Sequence, residues 1–585
     1  MRPRGWIQDS GSLENLIKVV GVFNRATDIY TDIVQNEIPQ KIISDDVKEE
    51  LLSELQNSNG YLNNPLIKFN ALTGSRTQNN IVDGIIQVLI PGQNRLGIVD
   101  WACDNYIRLA YTFDFISYSE KNDSFTITDF GLLLSDKETD DEKFKVIETA
   151  LKRYPPAVRI LELLYEQYIN FPKNPSLTKF ELGKELGFKG EDGFTTYSQD
   201  IVVQAIALSN SNKEKNIIHS NWEGSSDKYA RMICGWLKHK KIKWVESDSK
   251  IVTAQFGSDS YSESLLSYKI TMEGINAFRN TRPYSRYNGT PKNVSYEMLA
   301  TKGTDKEYLR TRRANILLCI RNRKSLTRIQ KYLSEKNLKD IPIETILDDI
   351  NNFKRIGLNV SESRSGFKII DTLQLLEIPQ NISPSILIPK EMTSLKQTLS
   401  QKIQCLDHAF FDLLDLSIAG QKSSRQFEIR IVELLNLIIT AYHLSGGSKP
   451  EIVGYYPDNN PVDCFIMDSK SYAKGFSIPA NERDKMIRYI NEYNSKNAGL
   501  NPNKWWERFK HPDYPINQLI FCFVSGSFVN KFANQLEYIK NITGISGCAI
   551  TIEKLIEKVN MVLENSNTYT LREFFSDLGC NSLVR

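Results

Sequence analysis

Apolar positions along this chain follow two spacings, and the change from one to the other recurs. A stretch with apolar residues every three to four positions runs into two short stretches with apolar residues at every second position, joined by a polar turn. The first spacing predicts a helix and the second a β-hairpin. The pattern occurs at 104–115 followed by ISYSEKNDSFTIT (116–128), at 226–240 followed by IKWVESDSKIVTA (242–254), and at 343–354 followed by GLNVSESRSGFKII (357–370). Shorter helical patterns precede these units, for example LTKFELGKELG at 177–187.

The pattern changes after EIPQNISPSILIP (377–389), where three prolines interrupt a weakly periodic stretch. Beyond it the spacing predicts a helix over 424–442, a glycine turn (SGGS, 445–448), a strand VDCFIMD at 462–468 and a helix over 482–496. A strand at 516–526, a helix over 528–542, a strand GCAITI and a last helix follow. Alternating strands and helices imply an α/β sheet with helices packed on it. The repeated upstream unit, a helix pair closed by a two-stranded wing, is the winged-helix arrangement, whose second helix commonly enters a DNA major groove. Winged helices also mediate protein contacts, so the repeats alone leave both uses open.

With 585 residues, 41% hydrophobic and 24% charged, the chain has room for several cores, and disordered and fibrous classes are excluded. Lys+Arg 73 and Asp+Glu 70 nearly cancel, to +3. That excludes a polycationic nucleic-acid condenser but not a basic face balanced elsewhere. Eight cysteines are scattered without a CxxC pair, and five histidines are isolated. This predicts reduced thiols in a cytosol rather than disulfides or zinc, and chemistry carried by carboxylates and lysines. The N-terminal MRPRGWIQDS lacks the apolar core of a signal peptide, and the longest apolar stretch, around 434–442, falls short of the ~18 residues a membrane span needs.

Pro450-Glu451 precedes a strand that ends in Asp468-Ser469-Lys470. Side chains at i and i+2 of a strand share a face, so Asp468 and Lys470 point the same way, and Glu451 would join them from the end of an adjacent strand. Two carboxylates suit Mg²⁺, which keeps several waters and takes few protein ligands plus phosphate. Such a metal polarises a phosphoryl oxygen and acidifies a bound water, while Lys470 can orient that water or stabilise charge at the phosphate. Glu428 on the preceding helix could support the metal. This is a pattern for phosphodiester hydrolysis, although a strand ending in a solvated charge pair has the same letters.

The stretches YPPAVRILELL (154–164), LTKFELGKELGFKGEDGFT (177–195), NWEGSSDKYARMICGWL (221–237), EMLATKGTDKEYLRTRRANIL (297–317), NPNKWWE (501–507) and FVSGSF (523–528) stand in the order of one family. The chain resembles the FokI-like type IIS restriction endonucleases nearly end to end. The resemblance implies a multidomain fold: three tandem winged-helix-like α+β recognition subdomains followed by an α/β PD-(D/E)xK nuclease domain. The implied ranges are 1–150, 151–285 and 286–377 for the subdomains, the third used mainly for protein contacts, 378–389 for a linker and 390–585 for the nuclease.

By the same resemblance, catalysis falls on Glu451, Asp468 and Lys470, with Mg²⁺ held by Glu451 and Asp468. Glu451 stands where the family has Asp; the extra methylene shifts the carboxylate by ~1.5 Å, and Glu remains a competent oxygen ligand. Asp484 and Arg488 match the pair through which nuclease domains dimerise, and four apart on a helix they share a face. Base contacts are implied for Gln8, Arg76, Gln93 and Trp101, Arg suiting guanine and Gln adenine. Asp9 replaces an Asn of the family. In the second subdomain Glu223 and Lys228 match base-reading positions, and Ser220 replaces an Asn. Lys228 falls in the first turn of a helix that Ser225 or Ser226 is expected to cap.

TDKEYLRTRR (304–313) reads as a helix opened by a Thr304–Glu307 capping box; its Lys306, Arg310, Arg312 and Arg313 could contact phosphates, but in a subdomain that the family uses mainly for protein contacts a solvated face is expected. Trp505 and Trp506 are expected to pack rather than to stack on bases. The whole implies a Mg²⁺-dependent enzyme of the bacterial cytoplasm that binds a short asymmetric duplex site, GGATG-like, and cuts both strands at a fixed distance outside it. Double-strand cutting implies a transient homodimer of nuclease domains on DNA, each resting against its recognition region beforehand. A cognate DNA methyltransferase in the same system is implied, and no membrane partner. Two alternatives stay open. One is a non-catalytic winged-helix DNA-binding regulator, against which the intact Glu451, Asp468 and Lys470 speak. The other is a strand-specific nicking enzyme, against which Asp484 and Arg488 speak.

Overall fold

The computed structural model describes residues 5–41, 45–46, 48–49, 52–53, 61–63, 100–119, 124–209, 211–283, 289–364, 366–376, 378, 387–444, 448–456, 462–499, 501–509, 516–530, 532–565, 573–574 and 583–584. The chain divides into two compact units. One is built from 1–182, 228–248 and 267–388, the other from 183–227, 249–266 and 389–585. Among the described residues no helix is long and apolar enough to cross a membrane.

The first helix-and-wing module starts with helix α1 (Leu13–Val22). Its N-cap is Ser12, whose hydroxyl accepts from the Asn15 amide at 3.1 Å, a cap worth about 1 kcal/mol. Leu13, Leu16, Val19 and Val20 bury its inner face. Strand β1 (Tyr61–Asn63), helix α2 (Asp100–Thr112) and strands β2 (Ile116–Ser119) and β3 (Ser124–Ile127) follow. The wing is an antiparallel sheet in the order β1-β3-β2.

The second module contains strand β4 (Leu177–Thr178), helix α3 (Ser225–Leu237) and two long strands, β5 (Val245–Phe256) and β6 (Asp259–Ile270), in the sheet order β4-β6-β5. The hairpin expected within 242–254 is therefore one strand, and the turn lies further on at Gly257, whose φ is +57°. The polar run at 246–250 imitates a turn because it sits on the exposed part of β5. It is held there by cross-strand pairs such as Lys269 to Glu246 at 3.2 Å. The start of α3 also differs from expectation. Asp227, not a serine, accepts the backbone amides of Gly224 at 2.8 Å and Tyr197 at 2.9 Å and the Thr196 hydroxyl. The Ser226 hydroxyl is buried without a hydrogen-bond partner.

The third module has helices α4 (Lys306–Arg321) and α5 (Ile343–Arg355) and a hairpin of strands β7 (Val360–Ser363) and β8 (Gly366–Ile369). Its basic run is not a solvated face. Arg310, Arg312 and Arg313 are buried. Asp349 of α5 accepts Arg312 Nε at 2.7 Å and Arg313 Nε at 2.9 Å, and Arg310 Nε donates to the Ala300 carbonyl at 2.9 Å. The capping box does not form either: the N-cap is Asp305, without a side-chain cap bond, and Glu307 instead takes Arg310 Nη1 at 2.6 Å. A helix interface that needs buried counter-charge has captured groups that the sequence offers equally to water.

The C-terminal domain runs helix α6 (Ser424–Leu435), strands β9 (Thr440–His443), β10 (Ile452–Tyr455) and β11 (Val462–Lys470), helix α7 (Ala480–Ser495), strand β12 (Ile516–Ser525), helix α8 (Phe532–Thr543), strand β13 (Gly547–Thr551), helix α9 (Ile552–Glu564) and strand β14 (Leu583–Val584). The strands form one six-stranded sheet in chain order, antiparallel from β9 to β11 and parallel from β11 to β14. The helix expected over 424–442 stops at Leu435. The Asn436 side chain bonds both the carbonyl and the amide of Ala441 at 2.9 Å, closing a turn that releases the apolar 440–443 as an edge strand.

Within this second unit, segments 183–227 and 249–266 pack on the same domain. Lys189 pairs with Asp407 at 3.1 Å, Lys396 Nζ donates to the Gly190 carbonyl at 2.6 Å, and the Tyr442 hydroxyl donates to the Phe256 carbonyl at 3.3 Å. Trp222, buried, meets the His443 ring edge to face at 5.5 Å, with the Arg425 guanidinium 5.4 Å from its ring centroid.

Candidate active site

The cluster forms at the ends of two antiparallel strands. Ile452 pairs with Met467 across β10 and β11, so Glu451, one residue ahead of β10, comes level with Asp468. Strand β11 is buried from Asp463 to Ser469, which fixes its pleat and turns Asp468 and Lys470 to one face. Lys470 Nζ lies 2.6 Å from Glu451 Oε1 and 3.1 Å from Asp468 Oδ2. The Ser469 amide donates to Glu451 Oε2 at 2.7 Å and its hydroxyl at 3.2 Å. The three residues expected to act together are thus brought together.

Asp468 is 1% exposed, and its Oδ2 faces the Lys470 ammonium at 3.1 Å and the Lys485 ammonium at 3.5 Å. A buried carboxylate is tolerated only beside donors or counter-charge; here two ammonium groups fill that role, and a divalent ion would fill it equally. Among the described residues no set of three or more His, Cys, Asp or Glu side chains is arranged to hold a metal by itself. Glu451 and Asp468, side by side at the strand ends, fit an ion that fills its other positions with water and phosphate. Glu428 Oε2 lies 2.9 Å from His443 Nε2, and the Glu428 charge is among those that raise Glu451.

The electrostatics separate the two carboxylates. Burial, reinforced by the Asp468 charge, pushes Glu451 up to about 8. Burial also works to raise Asp468, but Lys470 and Lys485 hold it below the usual carboxylate range. Burial disfavours the Lys470 charge, yet Asp468 and Glu451 more than offset it and keep the ammonium protonated.

Two members of the cluster are absent from the sequence motif. Glu482 Oε2 lies 3.2 Å from Lys470 Nζ, and Lys485 Nζ lies 3.5 Å from Asp468 Oδ2. Both sit at the start of α7, one turn apart on one face. That spacing, in the helix directly after the motif strand, was the available signal. The loop leading to α7 passes through Ile478 at φ +53°, a setting β-branched residues rarely adopt.

The remaining sequence-derived residues are placed unevenly. Asp484 and Arg488 are exposed, at 60% and 49%, and do not pair with each other: Asp484 accepts from Arg483 at 2.7 Å and Arg488 faces Glu492 at 3.5 Å. Gln8 is half-buried and Asp9 exposed. Asp9 sits at φ +62°, a left-handed position that Asp and Asn tolerate, with Arg231 Nη2 at 4.0 Å. Lys228 is half-buried in the first turn of α3, Glu223 is buried, and Ser220 is exposed with its hydroxyl bonded back to the Asn216 carbonyl at 2.7 Å. Arg76 and Gln93 lie outside the described residues, as does the side chain of Trp101, whose backbone is in α2. Trp505 and Trp506 are buried, and Trp505 Nε1 donates to Glu492 at 2.8 Å, so they pack as expected.

Comparison with known proteins gives the same order of parts. Family models match for the FokI recognition domain, subdomain 1 (residues 2–137), recognition domain, subdomain 2 (144–279), D3 domain (299–365) and cleavage domain (389–585). The type II restriction enzyme FokI of Planomicrobium okeanokoites is 34% identical, over 98% of this chain and 97% of its own. The type II restriction enzyme StsI of Streptococcus sanguinis is 28% identical, over 94% and 91%. Two solved structures of restriction endonuclease FokI, one bound to DNA, superpose with TM-scores of 0.88 and 0.89 at 31% identity, covering 100% of both chains. With every recognition subdomain and the cleavage domain present in sequence order, the chain belongs to the FokI family of type II restriction endonucleases.

Proposed function

We propose that this restriction endonuclease is a Mg²⁺-dependent type IIS enzyme that binds a short asymmetric duplex site, GGATG-like, and hydrolyses both strands at a fixed distance outside it. The observation that carries the reading is the Lys470 ammonium set between Glu451 at 2.6 Å and Asp468 at 3.1 Å, at the end of a buried strand. Glu451 and Asp468 would hold the divalent ion, which when bound polarises a phosphoryl oxygen and acidifies a water. Lys470 donates toward the attacking water and the phosphate charge that develops as it adds. The Ser469 amide holds Glu451 Oε2 and so fixes the orientation of that carboxylate.

Base reading is assigned to Gln8, Asp9, Arg76, Gln93, Trp101, Ser220, Glu223 and Lys228 within recognition modules spanning 1–150 and 151–285. The module at 286–377 serves protein contacts, and a linker at 378–389 leads to the nuclease domain at 390–585. At rest the nuclease domain is held by segments 183–227 and 249–266, a reading supported by the Trp222–His443 and Lys396–Gly190 contacts. On DNA, the exposed Asp484 and Arg488 exchange their intramolecular partners for a second nuclease domain, which supplies the cut on the other strand. A cognate methyltransferase in the same bacterial cytoplasm would protect the host's own sites.

The test is incubation with plasmid and Mg²⁺, beside an EDTA arm and a Lys470→Ala variant, with the ends mapped by sequencing. Linear product with ends at one offset from one motif, and a rate that rises more steeply than linearly with enzyme concentration, is expected. Open-circle product alone would indicate a nicking enzyme, and retained binding without cleavage a regulator.

A further inference from the structure

Lys485 approaches the catalytic carboxylates from a different element than Lys470. Its Nζ lies 3.5 Å from Asp468 Oδ2, 3.6 Å from Glu482 Oε2 and 4.0 Å from Glu451 Oε1. Lys470 Nζ is closer to the same three carboxylates, at 3.1, 3.2 and 2.6 Å. Three carboxyl groups thus face two ammonium groups in a pocket whose central member, Asp468, is 1% exposed. Buried charge of one sign is tolerated only with counter-charge beside it, and here the second counter-charge comes from the first turns of α7.

The two lysines are not equivalent. Lys470 is on the buried strand with an 11% exposed side chain, while Lys485 is 26% exposed and sits at ion-pair rather than tight hydrogen-bond distances. A flexible four-carbon stem lets such an ammonium move. In the same position Lys485 Nζ lies 5.9 Å from the centroid of the Tyr489 ring, which the Arg488 guanidinium also faces at 5.0 Å.

We propose that Lys485 is the resident counter-cation of the metal pocket, held against Asp468 and Glu482 in the metal-free enzyme and displaced when a divalent cation enters. The inference rests on the reading of Glu451 and Asp468 as the metal carboxylates. It makes Lys485 a positioning residue: the pocket stays formed without metal, and the ion must displace a charge to enter. Strong metal uptake then waits for the phosphate of bound DNA to add its own negative charge.

The test uses the full-length protein without DNA, titrated with Mg²⁺ alone, followed by melting temperature and by calorimetry. Lys485→Met is expected to melt lower than wild type in EDTA and to reach its Mg²⁺ midpoint at a concentration at least about tenfold lower. Lys485→Arg, which keeps the charge, is expected to stay near wild type; Lys485→Gln replaces the Met variant if that one fails to fold. An unchanged or higher midpoint in the uncharged variant overturns the proposal. Adding Asp468→Asn to Lys485→Met separates the two readings. If it abolishes the Mg²⁺ response, the metal site stands whatever Lys485 does. If the response persists, or no variant responds at all, the metal assignment fails and this proposal with it.

Discussion

The Ser469 amide donates to Glu451 Oε2 at 2.7 Å, joining β10 and β11 at the residue between Asp468 and Lys470. The longer side chain of Glu451 reaches this amide with one oxygen and the Lys470 ammonium with the other. Glu451→Asp keeps the charge but retracts the carboxylate by ~1.5 Å, so it cannot keep both contacts in the same backbone. Single-turnover cleavage is expected to fall by about tenfold to 10²-fold, with affinity for the recognition duplex unchanged in a gel-shift titration.

Glu451 also sets a pH dependence. Its burial and the Asp468 charge push it up to about 8, so below that pH the metal-free side chain carries a proton. Only the ionised carboxylate can hold a cation. The Mg²⁺ concentration for half-maximal cleavage is expected to rise, by about tenfold per pH unit, as pH falls below about 8, and to level off above it. Calorimetry in buffers of different ionisation enthalpy should register a proton released on Mg²⁺ binding at pH 7 and none at pH 9. A midpoint independent of pH would refute the assignment.

In the third module, Asp349 is the shared counter-charge of Arg312 and Arg313. Asp349→Ala leaves two buried guanidinium groups uncompensated and is expected to cost about 3–5 kcal/mol, read as a lowered urea midpoint. Because these arginines face Asp349 and not phosphate, removing one charge by Arg312→Gln should leave the salt dependence of DNA binding by the folded variant where it was.

Two glycines allow the second module's segments to sit on the nuclease domain. A Cβ at Gly190 (φ +74°) would lie 2.5 Å from the His408 carbonyl oxygen, and one at Gly257 (φ +57°) would lie 2.4 Å from the Tyr455 hydroxyl. Gly190→Ala combined with Gly257→Ala should loosen that packing and raise cleavage of plasmid lacking the recognition site several-fold. Unchanged off-site cleavage in a variant with a lowered melting temperature would count against the resting arrangement.

The sequence was most legible where a residue's neighbours in space are also its neighbours along the chain. Helix-and-wing spacing located the first and third wings, and the i, i+2 rule placed Asp468 beside Lys470. Prediction faltered where a distant partner decided the outcome. The run at 246–250 reads as a turn until β6 is available to pair with it. Residues 436–442 read as helix until Asn436 bonds Ala441 and β10 accepts the edge strand. Arg312 and Arg313 read as solvated until Asp349, on another helix, buries them. Glu482 and Lys485 were hidden for the same reason: nothing in the motif says that the next helix starts against its last residue.

The most direct measurement is on Lys470→Ala, comparing affinity for a duplex carrying the recognition site with the single-turnover rate of cutting that duplex in Mg²⁺. The ammonium touches Glu451 and Asp468 and lies in the nuclease domain. Binding should therefore stay near wild type while cleavage falls by about 10²–10⁴-fold. Cleavage near the wild-type rate, or a parallel loss of binding and cleavage, would contradict the account.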